Sequence, residues 1–575
     1  MKEKIKNIKK MIQVQGYKKW FVLLFSIIIG TQILEVYVTP KLITKIFDYH
    51  IPNSNIVGVI VVCITYTLFL FLTCYTTLKH VMIRCWLQRW IQRDLKNKIF
   101  EKLQYVKKEF YDKNTTGTIL QFLNDDSYNA SRLFSIISTE MFVMGLGRFF
   151  IIVLFLLFVD IKLTIIVLII YIIGASITIY SNRSTIGRII ELRKINTDIY
   201  TYINECINGV VTIKTLNIIK YKEEELEEKL NKYNQEKMQL EKRLSLYKNL
   251  FALIVSLVDI LIVVIGGMNV IEGIFTYAQI ILFIEYSGEL SYEFNWFIRN
   301  ISNYNKSYIA FYKALEFLEK DNTEDINKGK KLTNINSISF KDVTFRYGQE
   351  RSIISNISFD VKENESIAIV GKTGSGKSTI TNLICRLYEP TSGEILINDT
   401  DYLKYNIKSI RSKIGYILQD IDILPNTILD NIKYVKKDIS IQQVEEIFKR
   451  LNLHDKIMTF KDGYNTDIYN NPDLLSQGEK QIINFARIMA LDADLIIMDE
   501  ITSYLSVENE NMIRQAIKEV TKNKMSIIIA HRLPTIKECD KILLLDNGEI
   551  LERGTHKELI KKEGKYYKLY SSNVL

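Results

Sequence analysis

The residues with the clearest capacity for chemistry form a glycine-rich run, Gly371–Thr379, which reads GKTGSGKST. The run fits the phosphate-binding pattern G-x-x-x-x-G-K-[ST], whose glycines let successive backbone N–H groups point at phosphate oxygens. Apolar Ile367–Val370 predicts a strand before the run, and an apolar period from Ser378 predicts a helix after it, whose N-terminus attracts anions. In this context a chance glycine turn is a poor alternative. The predicted phosphate-binding residues are Gly371, Lys372, Thr373, Gly374, Ser375, Gly376, Lys377, Ser378 and Thr379.

Three side chains are predicted to handle phosphate and Mg²⁺. Lys377 can reach the β- and γ-phosphates of a nucleotide, and the Ser378 hydroxyl can ligate Mg²⁺. Asp499 follows the apolar run Leu495–Met498, so its carboxylate is expected at the C-terminal end of a strand. There it can hold Mg²⁺ directly or through water.

Two further polar groups also follow predicted strands. Glu500 comes directly after Asp499 and can orient or deprotonate an attacking water. His531 follows the apolar run Ile527–Ala530 and could contact a γ-phosphate. A single strand that ends in Asp or His is more often structural, but three parallel-type strands with phosphate-site groups make chance a poor explanation.

Length and composition place these residues in a chain of at least two domains. The chain has 575 residues, 47% of them hydrophobic, and a formal net charge of +10. Long apolar runs fill its first half, whereas the sequence from about Ser337 is typical of a soluble α/β domain. The positive charge fits basic loops on the cytosolic side of a membrane protein better than nucleic-acid binding, because no basic groove with interleaved aromatics is evident. The six cysteines are scattered without a C-x-x-C pair, which argues against a disulfide framework or a zinc site.

Six stretches of the first half approach the roughly 20 apolar residues that a membrane-spanning helix needs. The predicted spans are Phe21–Thr39, Ile56–Leu78, Phe142–Phe158, Leu163–Tyr180, Leu250–Val270 and Tyr277–Ile298. The third and sixth are the weakest because each contains charges. The first is interpreted as a retained span, because it lacks the A-x-A-like cleavage site of a signal peptide.

Basic residues orient these spans. Residues 1–19, 79–132 and 183–248 are rich in lysine and arginine, so the N-terminus and both long loops are expected in the cytosol. The two loops combine helical periodicity with few helix breakers, so we expect them to extend the membrane helices.

The predicted organisation follows from these patterns. A transmembrane domain covers residues 1–321, a polar linker covers 322–336, and a second domain covers 337–575. The predicted fold class is therefore multi-domain: an all-α six-helix transmembrane domain followed by an α/β P-loop nucleotide-binding domain.

The order of motifs resembles an ATP-binding cassette, and the chain as a whole is similar to exporter-type ABC half-transporters. Tyr347 matches the aromatic residue that stacks on adenine, and His531 matches the switch histidine. Gln419 matches the glutamine that joins the nucleotide and Mg²⁺ site to the membrane domain. The family signature corresponds to Leu475, Ser476, Gln477, Gly478 and Glu479. In this family the signature faces the γ-phosphate held by the opposite cassette, so that two cassettes enclose two ATP molecules.

The resemblance extends to two loops of the membrane half. Phe110–Asp112, Thr116–Gly117 and Leu123–Asp125 resemble the first cytosolic loop of exporters, and Asn204–Thr215 resembles the second. In the family these loops carry the coupling helices that rest on the cassettes.

The resemblance implies ATP-driven export across the cytoplasmic membrane by alternating access. Glu500, His531 and Gln419 would be catalytic, with ATP and Mg²⁺ as cofactors. The implied partners are a second half-transporter, membrane lipid and the transported substrate, and the cassette would lie in the cytosol. Two alternatives stay open: an ATP-gated sensor or channel-like subunit, and an importer built on the exporter fold. The six spans exclude a soluble P-loop enzyme.

Several positions depart from the family pattern. Gln477 stands where glycine is usual, Glu479 where glutamine is usual, and Ser506 where aspartate is usual. Tyr469–Pro472 replaces a stretch rich in Gly and Glu. One interpretation is neutral drift in a homodimer. The other is a heterodimer with unequal ATP sites, because the departures lie on surfaces that serve the partner.

Carboxylates inside the spans suggest a cargo class. Glu285, Glu289 and Glu293 are spaced four residues apart and so share one helix face, while Asp259 and Glu35 lie in the fifth and first spans. Intramembrane acids usually face a cavity or a partner, which favours a cationic peptide or drug as cargo. The alternative is structural: Arg148 in the third span neutralises an acid, and Glu293 lies near the membrane surface.

Overall fold

The computed structural model describes residues 18–135, 145–348, 352–417, 423–499, 507–529 and 536–571. They divide into two compact units. The first contains the chain up to Glu101 together with Thr116–Lys320, and the second contains Lys102–Thr115 together with the chain from Asp321. The described elements of the first unit are all helices, whereas sheets and helices build the second. The predicted fold class is confirmed.

In the described part of the chain, ten α-helices precede the first strand. They are α1 (Lys18–Thr44), α2 (Ile56–Leu103), α3 (Lys108–Lys113), α4 (Thr116–Gln121), α5 (Ser127–Ser135), α6 (Arg148–Val159), α7 (Ile161–Asn208), α8 (Val210–Thr215), α9 (Ile219–Ile271) and α10 (Tyr277–Glu319). Short π-helices cover Lys45–His50 and Phe122–Asp126. Of the ten, α3 belongs to the second unit.

Six of these helices, α1, α2, α6, α7, α9 and α10, occupy the positions of the predicted spans. Helices α2, α7 and α9 contain 48, 48 and 53 residues. At about 1.5 Å per residue each is more than twice as long as the roughly 30 Å hydrocarbon core of a bilayer. As predicted, the basic loop segments continue the apolar helices.

Among the residues that the structure describes, four helical segments are long and apolar enough to cross a membrane: Ser26–His50, Ile56–Leu103, Ile161–Thr185 and Ile219–Ile271. The two remaining spans are the ones that the sequence marks as weakest. The third contains a shorter apolar helix, Gly145–Val159, and its predicted beginning lies outside the described residues. The sixth, α10, is a continuous helix whose apolar sequence is interrupted by glutamates.

The core of the first unit forms where α1, α6, α7, α9 and α10 meet. Its buried members include Val36, Ile152, Leu156, Leu163, Val167, Tyr171, Val258, Ile262, Leu282, Phe283 and Tyr286. The Asp160 carboxylate caps α7 by accepting a hydrogen bond from the Leu163 N–H at 2.6 Å, and Thr276 with Gln279 forms a capping box at the start of α10. By contrast, only 6% of the apolar window of α2 is buried among the described residues.

The described residues of the second unit include ten strands, which form two sheets. The strands are β1 (Ser337–Phe345), β2 (Ile354–Lys362), β3 (Ser366–Val370), β4 (Ser392–Ile397), β5 (Thr400–Asp401), β6 (Ile414–Ile417), β7 (Leu495–Asp499), β8 (Met525–Ile529), β9 (Lys541–Asp546) and β10 (Glu549–Gly554). An antiparallel sheet has the order β2-β1-β4-β5, and a second sheet has the order β10-β9-β3-β8-β7-β6. Strands β9, β3, β8, β7 and β6 are parallel neighbours, so their C-terminal ends meet at one edge.

Both faces of the parallel sheet are covered. On β3, Ile367 and Ile369 pack into a core shared with the antiparallel sheet, whereas Ala368 and Val370 pack into a core on the opposite face. This burial on both faces explains why β3, β7 and β8 are continuous apolar runs. The helices of this unit are α11 (Lys377–Ile384), α12 (Ile407–Arg411), α13 (Ile428–Lys433), α14 (Ile441–Arg450), α15 (His454–Met458), α16 (Gln477–Leu491), α17 (Val507–Thr521), α18 (His556–Lys561) and α19 (Lys565–Ser571).

Two distant segments are joined at the edge of the second unit. Val106 forms a β-bridge with Thr323, and the Glu324 N–H donates to the Tyr105 carbonyl at 2.6 Å. The Glu324 carboxylate in turn accepts two hydrogen bonds from the Arg411 guanidinium, at 2.7 and 3.0 Å. Residues 102–115 are thereby fixed to the sheet-containing unit.

Candidate nucleotide-binding and coupling site

The phosphate-binding loop connects β3 to α11. Lys377, the first residue of α11, is 5% exposed, and its Nζ donates to the carbonyls of Gly371 and Lys372 at 2.9 and 3.0 Å. These bonds hold an ammonium group inside the loop that the backbone N–H groups also line. The buried Ser375 hydroxyl has no hydrogen-bond partner among the described residues, so it is a further donor for a ligand in the loop.

Glycine is required at two positions of this loop. Gly376 has φ +104°, a left-handed conformation in which a side chain is strained. A Cβ at Gly371 would lie 2.2 Å from the Leu545 carbonyl oxygen, so β9 blocks any side chain there. Only a glycine-rich sequence can therefore make this turn between the strand and the helix.

Tyr347 lies at the end of β1 with its ring half-buried. It contacts the rings of Phe345 and Tyr388 edge to face, with centroids 4.8 and 5.0 Å away. These contacts orient the ring and suit the predicted stacking on adenine.

Asp499 ends β7, and a series of polar contacts relates it to the phosphate-binding loop. The Tyr416 hydroxyl lies 3.1 Å from Thr381 Oγ1 and close to the Asp499 carboxylate. Thr381 Oγ1 in turn donates to the Ser378 carbonyl at 2.9 Å. Burial, reinforced by the Asp499 carboxylate, raises the pKa of Tyr416 to about 12, so the hydroxyl keeps its proton. Tyr416 is a residue that sequence reasoning missed, because no motif contains it.

The oxygen donors of this site fit the predicted Mg²⁺. Ser378 is exposed at the second position of α11, and Asp499 lies at the C-terminal edge of the parallel sheet. Hydroxyl and carboxylate oxygens are ligands that Mg²⁺ prefers in proteins. The other predicted groups at this edge, Gln419, Glu500 and His531, lie outside the described residues, as does Ser506.

The signature begins α16. Ser476 is its N-cap: its Oγ accepts from the Glu479 N–H at 3.3 Å, and the Glu479 carboxylate accepts from the Ser476 N–H at 2.8 Å. This is a complete capping box, made by a serine and the glutamate that replaces the usual glutamine. Leu475 and Gly478 are buried, whereas Ser476 and Gln477 are exposed and free to meet a partner surface.

A polar network joins α16 to α13. The Arg487 guanidinium donates to the Asn431 side chain and, at 3.2 Å, to the Asn431 carbonyl. Asn431 is fully buried and also bonds the backbone of Leu424 and Thr427. Neither Arg487 nor Asn431 belongs to a motif, so sequence reasoning missed both.

The first-loop helix α3 lies in the same compact unit as the phosphate-binding loop. The buried Tyr388 donates its hydroxyl hydrogen to the Asp112 carboxylate, and Lys108 Nζ lies 3.4 Å from the Asn382 side chain. Burial, together with the Asp112 carboxylate, raises the pKa of Tyr388. Because Tyr388 also contacts Tyr347, one ring separates the predicted adenine-stacking residue from the predicted coupling helix.

The second predicted coupling segment belongs to the first unit. It comprises the end of α7, Gly209 and the whole of α8, in which Val210 and Val211 are exposed, as is the neighbouring Leu216.

The intramembrane glutamates gather around one arginine. Arg148 of α6 lies 3.3 Å from Glu35 of α1, and 2.8 and 4.0 Å from Glu289 and Glu293 of α10. Arg148 thus contacts three acids. Glu285, one turn before Glu289, has no ion pair with any described cation.

Asp259 lies apart from this arginine cluster. Its Oδ1 is buried in α9 without a hydrogen-bond partner among the described residues. It lies close enough to Tyr171 of α7 to act on it electrostatically, and the Tyr171 hydroxyl donates to the Ser287 carbonyl at 2.6 Å. The five predicted acids therefore divide into a cluster of four and a single aspartate.

Both parts of the chain match known families. Residues 354–503 match the family described as ABC transporter, and residues 20–293 match the one described as ABC transporter transmembrane region.

Similar proteins share both parts. Over 487 residues the chain is 32% identical to a Bacillus subtilis protein named "Uncharacterized ABC transporter ATP-binding protein YfiC", with 83% of this chain and 79% of that protein covered. It is 29% identical over 533 residues to the B. subtilis "Probable multidrug resistance ABC transporter ATP-binding/permease protein YheH", covering 92% and 78%. The solved structure of a bacterial Atm1-family ABC exporter with ATP bound has the same fold, with a TM-score of 0.77, 21% identity and coverage of 99% and 98%.

Proposed function

This chain belongs to the ABC transporter family, as a multi-pass membrane protein whose ATP hydrolysis is coupled to transport, and we propose that it is one half of a dimeric exporter in the cytoplasmic membrane. Its N-terminus and its nucleotide-binding unit would face the cytosol. A second half-transporter, either another copy of this chain or a different one, would complete both ATP sites.

The observation that carries the proposal is the position of α3. This helix lies between two spans in sequence, yet Asp112 and Lys108 contact the unit that contains the phosphate-binding loop. A movement of that unit on binding ATP would therefore act directly on the chain between α2 and α5.

The chemistry follows from residues of this chain. Lys377 and the loop N–H groups would bind the β- and γ-phosphates, and Ser378 with Asp499 would hold Mg²⁺, which neutralises phosphate charge when bound. Gln419 would complete this set, Glu500 would take a proton from the attacking water, and His531 would contact the γ-phosphate. The exposed Ser476 would meet the ATP of the opposite half.

The cargo we propose is cationic. The cluster of Glu35, Glu285, Glu289 and Glu293 contains four carboxylates, and Arg148 is the cation that contacts three of them. Ionised, this group has a formal charge of −3, which a positively charged peptide or drug would offset in a water-filled cavity. Arg148 offsets part of this negative charge, which is the structural role that the sequence also suggested for it.

Transport direction is tested in inside-out membrane vesicles. ATP should drive accumulation of a cationic dye inside the vesicles, and Lys377→Ala should abolish it. Loss of preloaded dye on adding ATP would indicate import, and ion conductance without accumulation would indicate a channel-like subunit.

The cargo class needs its own variant. Replacing Glu285, Glu289 and Glu293 together by glutamine should lower uptake of a basic substrate more than uptake of a neutral one. Unchanged uptake of the basic substrate would contradict the cationic cargo and leave the exporter proposal intact.

A further inference from the structure

Glu479 places a negative charge at the N-terminal end of α16. In the proposed function this end of the helix faces the ATP of the opposite half. The Glu479 Cα is in the first helical turn, and the carboxylate is bonded to the Ser476 N–H. The positive end of the helix dipole favours a carboxylate there. It favours a phosphate for the same reason, so the two anions would compete for one helix end.

A lysine from another helix offsets this charge. Lys456 of α15 places its Nζ 2.6 and 2.7 Å from the two carboxylate oxygens of Glu479. The Glu479 side chain is 13% exposed and that of Lys456 43%, so water screens the pair only partly. Although burial alone would raise it, the pKa of Glu479 is held below its usual value by Lys456 and by the donors of Ser476.

The lysine also fixes the geometry of the signature. Both Glu479 oxygens are engaged by Lys456, and one is shared with the Ser476 N–H. The Ser476 hydroxyl oxygen accepts from the Glu479 N–H, so the serine and the glutamate hold each other in place at the start of α16.

We propose that Lys456 is a positioning residue of the signature: it neutralises and anchors Glu479, so that Ser476 can meet the γ-phosphate bound by the opposite half. The inference rests on the proposed function, because it requires ATP across a dimer interface. It also means that Glu479, which departs from the family pattern, is compensated within this chain.

The test is a double-mutant cycle in the purified transporter, with any second chain that assembles with it. Lys456→Met should raise the ATP concentration for half-maximal hydrolysis about fivefold, with a smaller change in kcat, since partly exposed pairs of this kind have modest energies. Lys456→Arg should restore most of the loss, because it keeps the charge. In a Glu479→Gln background, Lys456→Met should have no further effect, since the charge it offsets is gone.

Lys524→Met is the matched control. Lys524 pairs with Asp492 at 2.8 Å, at the opposite end of α16. Its loss should reduce thermal stability by an amount similar to Lys456→Met and leave the ATP dependence unchanged.

Two results would overturn the inference. One is an ATP dependence unchanged by Lys456→Met. The other is an equal loss from Lys456→Met in the wild-type and the Glu479→Gln backgrounds, which would mean a structural role. Wild-type hydrolysis by a Glu500→Gln variant would instead overturn the proposed function, whatever Lys456 does.

Discussion

Each unit of the molecule contains a shielded cation, and the two cations are held in different ways. Lys377 donates to carbonyls five and six residues earlier in the chain, within one loop. Arg148 contacts carboxylates of α1 and α10, one of them 141 positions away. The first site is made by adjacent residues, and the second exists only after the helices have packed.

Because of this difference, we expect Lys377 to matter mainly for ligand binding and Arg148 mainly for the stability of the fold. Lys377 is neutralised by backbone dipoles that stay in place when the side chain is removed, so its loss should affect ligand binding more than folding. Arg148 compensates carboxylates that stay shielded when it is removed, so its loss should affect folding more.

The largest expected effect tests the loop side of the comparison. Lys377→Ala should lower ATP hydrolysis about 100-fold or more, because a positioned charge at the phosphates is lost. Thermal unfolding should change little. Lys341→Ala, an exposed lysine on β1, is the control for hydrolysis. A large drop in unfolding temperature for Lys377→Ala would break the comparison.

Arg148→Met tests the cation that is held by carboxylates of other helices. It should destabilise the first unit by about 2 kcal/mol, less than the loss for a fully buried pair, because these side chains are a fifth to a third exposed. Thermal unfolding in lipid nanodiscs measures the change. Adding Glu289→Gln should recover part of the lost stability. An unfolding temperature unchanged by Arg148→Met would show that the contacts between Arg148 and the glutamates do not stabilise the fold.

Gly376→Ala tests whether the backbone conformation of the loop itself sets the geometry of the phosphate-binding site. The residue has φ +104°, and an added Cβ would lie 3.1 Å from the Ile353 carbonyl oxygen. Because a left-handed conformation costs a non-glycine residue about 1–2 kcal/mol, ATP affinity should fall roughly tenfold. Nucleotide titration measures it, with Gly374→Ala as the comparison, because an added Cβ there meets open space although its φ is also positive.

The same contrast explains what the sequence could predict. The phosphate-binding loop and the apolar strands follow from residues close in sequence, and the structure has them where the patterns indicate. The spacing of the α10 glutamates also predicted a shared face. The third and sixth spans are weak in the sequence because polar residues that pack inside a helical unit lower the local hydropathy.

The partners of these residues could not be predicted. Tyr388 meets Asp112 across 276 positions, and Lys456 meets Glu479 across 23. No period or motif relates such pairs, because tertiary packing alone brings them together. The same holds for Arg148, which the sequence predicted to neutralise one acid and which contacts three.

The smallest expected effect concerns coupling. Tyr388→Phe removes the bond to Asp112, worth about 1 kcal/mol, and keeps the ring against Tyr347. Transport per ATP hydrolysed should fall severalfold while hydrolysis persists, measured in vesicles. Tyr464→Phe, which loses a similar bond to His454, is the control. Equal transport ratios for both variants would contradict a coupling role for Tyr388.

The most direct test of the ATP-driven mechanism is hydrolysis by the purified transporter in lipid nanodiscs, with and without Glu500→Gln. Loss of the proposed base should lower the rate about 100-fold or more while ATP still binds. Hydrolysis at the wild-type rate in the Glu500→Gln variant would contradict the account.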